Sequence, residues 1–174
     1  MQKKGKGDRQ MCCFLKDLLL GVVAAIAITA LVLVVIGASA SGFGPGIQAA
    51  LVGAGGETIP DGTNVLFDTL NNQGSSIVYD PVTGLFSITR QGDYNIAWWV
   101  STDGAAPATS VSFAVEVNGV PYSTASSPIV TGQLSGDAFV TINMVPATIS
   151  LVNVTGEDVF VPDIPVQAGI VIKQ

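Results

Sequence analysis

The sequence predicts an all-β protein: an antiparallel sandwich of the jelly-roll class, preceded by a hydrophobic N-terminal segment of helical character. Three observations carry this prediction. About eight runs in the C-terminal two thirds alternate apolar and polar residues with the period of a half-buried strand. Pro, Gly and Asn-Gly turn signals separate them at intervals of about 8–12 residues. No helical period appears among them, whereas the 23 residues from Leu18 to Ala40 carry no charge at all.

Residues 1–17 are basic and polar, with Cys12 and Cys13 side by side. Residues 18–40 are apolar. As a helix at 1.5 Å per residue, 23 residues reach about 34 Å, enough for a hydrocarbon core of about 30 Å. Lys and Arg lie on one flank only, which fits an N-in orientation. An Ala-Ser-Ala at residues 38–40 also spells a signal-peptidase site, although the run is longer than an ordinary signal core. A third reading is an assembly helix, because Leu18, Val22, Ile26, Thr29, Leu33 and Ile36 recur at spacings of three and four and would form one seam between copies. The opposite face is apolar too, so such a helix needs lipid or an enclosing protein shell. Many of its residues are β-branched, so a strand-like connector within a fibre is a further option.

Residues 41–62 are rich in Gly and small residues and read as a linker; Gly-Phe-Gly-Pro-Gly at 42–46 resembles one collagen triplet but starts no repeat. Residues 63–174 form the folded head. Its first strand candidate is "NVLFDTL" (64–70). "SSIVYD" and "LFSITR" follow, joined by a Pro/Gly turn at 80–84. "DYNIAWWV" places Tyr94, Ile96, Trp98 and Val100 on one face, which turns Trp99 out of its sheet. "VSFAVEV" (111–117) alternates and runs into Asn118-Gly119, a strong hairpin signal. "DAFVTINMV" aligns Ala138, Val140, Ile142 and Met144; "TISLVNV" and "QAGIVIKQ" complete the set.

The charge is split. The net charge of −6 combines +3 over residues 1–17 with −9 over residues 18–174. An acidic head repels phosphate backbones, which argues against nucleic acid as a partner, while the basic start suits an anionic membrane leaflet. There is no histidine, which removes the commonest general base and metal ligand. Without it, and without a G-x-S-x-G elbow, the many serines make no hydrolase. Asp68, Asp80, Asp93 and Asp103 fall in or beside turns, where aspartates cap their own backbone. No catalytic, cofactor or metal residues are therefore assigned, and no cofactor is expected. Asn153-Val154-Thr155 spells a glycosylation sequon and reads as an ordinary strand end. Cys12 and Cys13 cannot staple the acidic head, since neither lies in it. Free thiols, acylation beside a membrane and disulfides between chains all remain open.

The blocks "GTNVLFDT", "IVYDPVTGLFSITRQGDYNIAWWVSTDG", "SFAVEVNG", "TGQLSGDAFVTI", "ISLVNVTG" and "VQAGIVI", in that order, resemble the C-terminal domain of collagen-like exosporium glycoproteins of spore-forming bacteria. That domain is similar to the trimeric jelly rolls of tumour necrosis factor and the complement globular heads. The resemblance covers roughly residues 57–173. It implies a homotrimer with apolar subunit contacts, no enzymatic activity, and a place in the outer nap or fibres of a spore. The collagen-like stalk of that family is missing, so the stalk's function does not carry over. A spore appendage fibre subunit, whose N-terminal segment joins one trimer to the next, is a related reading. Trp99, Phe86 and Phe139 are the candidates for the three-fold axis, and Cys12 and Cys13 for links between chains. The competing expectation is a membrane-tethered, single-pass trimeric lectin or adhesin with its N-terminus in the cytoplasm and a glycan ligand at its loops.

Overall fold

The computed structural model describes residues 46–53 and 55–174. Residues 1–45, and with them the apolar segment and both cysteines, lie outside the described residues. Twelve strands are present among the described residues: β1 (Gly46–Val52), β2 (Thr58–Ile59), β3 (Thr69–Gln73), β4 (Ile77–Asp80), β5 (Leu85–Ile88), β6 (Gly92–Asp103), β7 (Val111–Val117), β8 (Val120–Ser127), β9 (Thr131–Ile142), β10 (Ala147–Asn153), β11 (Val159–Phe160) and β12 (Val166–Lys173). They form two five-stranded antiparallel sheets, β3-β1-β12-β6-β9 and β4-β5-β10-β7-β8, with β2 and β11 as a small separate ribbon. Strands distant in sequence lie side by side, as when the first strand pairs with the last, which is the mark of a jelly roll.

The inward residues follow the expected alternation. Tyr94, Ile96, Trp98 and Val100 of β6 and Val111, Phe113 and Val115 of β7 are buried. Trp98 and Phe113 meet across the two sheets with ring centroids 6.2 Å apart. A second aromatic group, Phe67, Tyr79 and Phe86, fills the core beside β4 and β5, with Tyr79 and Phe86 at 4.5 Å. Burying each such ring stabilises the fold by about 1.5–3 kcal/mol. The β7–β8 hairpin turns on Asn118 and Gly119 at φ 54° and 74°. Both residues are left-handed, as a two-residue type I′ turn requires.

Three expectations are corrected. Gly46–Val52, assigned to the linker, is an interior strand that buries Ile47, Ala49 and Leu51 between β3 and β12. Its Gly and Ala residues look like a linker in isolation; pairing on both sides makes it a strand. The described part of the head therefore begins at Gly46, before residue 63. The run 64–70 is a strand only from Thr69 onward; Asn64 makes an isolated bridge to Val152, and Val65 and Phe67 enter the core from extended chain. Met144 does not join the buried row of β9, because the strand ends at Ile142 and leaves Met144 exposed. β8, which the Asn118-Gly119 turn called for but no alternating run marked, is an edge strand with mostly exposed residues and Pro121 inside it.

Candidate functional site

The outer face of the β3-β1-β12-β6-β9 sheet holds the arrangement best suited to a function. Residues directly opposite one another across antiparallel strands share a face, so the registers define its tiers. The first runs Ala50, Gly169, Trp99, Ser135 from β1 to β9. The second runs Gln48, Val171, Ala97, Asp137, and the third runs Gly46, Lys173, Asn95, Phe139. The first tier is charge-free. Asp137 stands at the β9 edge of the second, and Lys173 sits within the third.

Trp99 is the centre of this face. It is half-buried because its indole lies across Gly169, where an added Cβ would come within 2.7 Å of Trp99 Nε1. An aromatic ring covering a glycine on the neighbouring strand is a recognised way to complete a sheet surface. Trp98 does the same inside the sandwich, over Gly136 on β9. Small neighbours (Ala50, Ala97, Ser135) leave a shallow depression of about 410 Å³ around Trp99, and none of its lining residues is charged. A large, stiff aromatic in an uncharged hollow on an otherwise acidic protein is what a protein–protein contact uses as an anchor.

The structure separates the three residues expected at a subunit contact. Trp99 and Phe139 share this outer face, Phe139 being 63% exposed on β9 opposite Asn95. Phe86 is 0% exposed and packs against Tyr79 and Phe67. Phe86 cannot touch another subunit without opening the core. The alternation of "LFSI" held the signal, since Phe86 and Ile88 point one way and Ser87 the other.

The aspartates do not converge. Asp68 accepts the Val52 N–H at 3.1 Å; Asp80 accepts the Val82 N–H at 2.9 Å and the Thr83 hydroxyl at 2.7 Å; Asp93 accepts the Thr141 hydroxyl at 2.7 Å. The Thr83 hydroxyl, followed by the Val82 N–H, holds the Asp80 carboxyl below the usual carboxylate range. Among the described residues no three His, Cys, Asp or Glu are grouped to hold a metal ion. Asn153 is 0% exposed; its amide nitrogen donates to the carbonyls of Ile59 (2.8 Å) and Glu157 (3.0 Å), and its oxygen accepts the Thr155 N–H (3.0 Å). The sequon is thus a structural strand end. A second hollow, of about 500 Å³, opens near the β4–β5 turn, lined by Leu51, Ile59, Leu66, Val82 and neighbouring threonines with Glu57 as its one charge. It holds no pair of groups positioned for catalysis. Among the described residues no helix is long and apolar enough to cross a membrane.

No protein-family model matches the sequence, and no curated protein does. Solved structures do. The chain is similar to the globular domain of the zebrafish complement 1qA protein (16% identity, 75% of this chain and 94% of that one, TM-score 0.54). It is similar to Eiger TNF from S. frugiperda (10% identity, 74% and 91%, TM-score 0.54). It is also similar to the PRD1 vertex protein P5 (15% identity, 76% and 99%, TM-score 0.53). At these identities the likeness shows the fold: residues from β1 to β12 form a jelly roll of the TNF and complement C1q type.

Proposed function

We propose that this chain is a non-enzymatic structural protein whose jelly-roll heads associate as homotrimers through the outer face centred on Trp99. The heads are displayed on the surface of a spore or cell, and the N-terminal segment anchors them or joins them into a larger assembly. The observation that carries the reading is the first tier of that face: Trp99 set in a charge-free hollow among Ala50, Gly169 and Ser135. Copies with a net charge of −9 over residues 18–174 repel wherever their acids meet, so contact is favoured where charge is lacking. Burying an aromatic anchor against its counterparts supplies the attraction. The block resemblance to exosporium proteins supports the spore setting, and a fold shared with a protein described as a vertex protein fits a structural role.

The test is the mass of the full-length protein in mild detergent, by light scattering after size exclusion. Three chains per particle are expected at micromolar concentration. Trp99→Arg, which sets a charge in the hollow, should give folded monomers. A monomeric wild type, or a Trp99→Arg variant that stays trimeric, overturns the proposal. In native material, Cys12 and Cys13 are expected to link neighbouring chains, so non-reducing gels should show multimers that collapse on reduction.

A further inference from the structure

The two flanks of the sandwich are treated differently. On one flank the edge strands β8 and β9 are tied to each other: the Tyr122 hydroxyl donates to the Phe139 carbonyl at 3.0 Å and the Ser123 hydroxyl to the Asp137 carbonyl at 3.1 Å. That flank also carries Pro121 and Asp137, two of the devices that keep a sheet edge from adding a foreign strand. On the other flank β3 and β4 are the edges of their sheets, joined by one longer side-chain contact, from the Gln73 amide to the Ile77 carbonyl at 3.4 Å, and among the described residues no strand pairs with their outer sides. From Thr69 to Tyr79 this flank has eleven consecutive residues without a charge or a proline. Leu70, Asn71, Asn72 and Gln73 of β3 are all exposed; Asn71 is a bulge residue without a partner on β1 and borders the hollow around Trp99, and Asn72 and Gln73 resume the pairing.

We infer that the β3 edge is a second self-association surface, where β3 of one copy pairs antiparallel with β3 of another and joins two heads into one continuous sheet. The occupant follows from the chemistry. Asn and Gln side chains each carry donors and acceptors, so the run Asn71-Asn72-Gln73 is complementary to itself. Identical antiparallel strands place that run against its own copy about a two-fold axis. A charged partner finds nothing to recognise there, whereas an acidic copy meets no repulsion. Five residues of edge make a weak contact alone. Trimers built through Trp99 would present three such edges each, and this multivalency converts weak pairing into a lattice or fibre. The edge contact goes beyond the trimer: Asn71 borders the hollow around Trp99, while Asn72 and Gln73 lie outside it.

The experiment measures full-length protein in mild detergent by sedimentation velocity from 1 to 100 µM, comparing wild type with Asn72→Lys/Gln73→Lys and with Asn72→Gln/Gln73→Asn, positions that do not line the hollow around Trp99. Both positions are exposed, so neither pair of changes touches the core. The wild type should form particles heavier than the basic oligomer as concentration rises. The lysine pair should reduce them at least tenfold while leaving the basic oligomer intact, and the amide-preserving pair should keep them. Heavier particles that survive the lysine substitutions, or their absence from wild type throughout that range, overturn the inference. Loss of the basic oligomer in Trp99→Arg reports on the other surface, so the two readings fail separately.

Discussion

Tyr79→Phe separates two contributions of one hydroxyl. In the folded protein the Phe67 N–H donates to Tyr79 Oη at 2.6 Å, with Tyr79 only 7% exposed. Removing the oxygen leaves a buried N–H without its acceptor, a loss of about 1–3 kcal/mol, while the ring keeps its contact with Phe86. The same hydroxyl makes the fold sensitive to alkali. Burial, chiefly, pushes the Tyr79 phenol up to about 12, with the Phe67 N–H opposing and Asp80 and Asp68 adding to the rise. Because the folded value lies above the unfolded value near 10, the unfolded chain releases its proton first as pH rises. The stabilisation is complete below pH 10 and declines between pH 10 and 12, by about 2 kcal/mol once solvent screening is allowed for. Burial raises Tyr94 as well, but Tyr94 is present in both proteins and cancels. Urea titrations followed by tryptophan fluorescence, at one protein concentration from pH 8 to 11.5, should show Tyr79→Phe less stable at pH 8 and the gap narrowing above pH 10. A gap that stays constant or widens would refute the assignment of this phenol.

Three further outcomes follow from the packing. Trp98→Ala removes a 3%-exposed indole lying over Gly136 and beside Phe113, and urea unfolding should show a loss of about 3–5 kcal/mol. Gly84→Ala should cost clearly more than Gly119→Ala: both residues have φ above 70°, but a Cβ at Gly119 meets open space while one at Gly84 comes within 2.8 Å of Asn64 Cβ. The Gly119 change should cost about 1 kcal/mol in thermal or chemical denaturation. Asn153→Ala strips partners from two carbonyls and one N–H and should destabilise by about 2–3 kcal/mol. Mass spectrometry of protein from a glycosylating host should find Asn153 of the folded wild type unmodified.

Legibility in the sequence followed how far each strand's neighbours matter. β6 and β7 alternate because one face of each is core, so their period, the outward turn of Trp99 and the Asn118-Gly119 hairpin could all be read in advance. β1 could not, because Gly46, Ala49 and Ala50 are small, and only its place between β3 and β12 gives them a role. β8 was signalled only by the turn before it: as an edge strand with few buried residues and an internal proline it lacks an alternating signature of its own. The candidate site divides in the same way. Trp99 and Phe139 were visible as outward aromatics in alternating runs. Ala50, Gly169 and Ser135 became part of the site only through register, since each comes from a different strand and none has chemistry of its own.

The charge pattern gains meaning from the same registers. A composition that is only 11% charged looks at first like a shortage of solubilising groups spread over the whole chain. Folding sorts it. Apart from Asp137 within β9, the acids gather in turns and towards strand ends, where Asp68, Asp80 and Asp93 hold backbone or hydroxyl groups, while the centre of one sheet face and one flank are left uncharged. A monomer that needed only solubility would gain from a lysine or glutamate at either place, and the exposed positions of β3 would accept one without strain. Two surfaces without charge, one shaped around an aromatic and one lined with amides, fit self-association by two different chemistries. In the proposed assembly the first gives a closed oligomer through burial of apolar area. In the same proposed assembly the second links finished oligomers through backbone and amide hydrogen bonds, so that changes at Asn72 and Gln73, outside the hollow around Trp99, should tune extension separately.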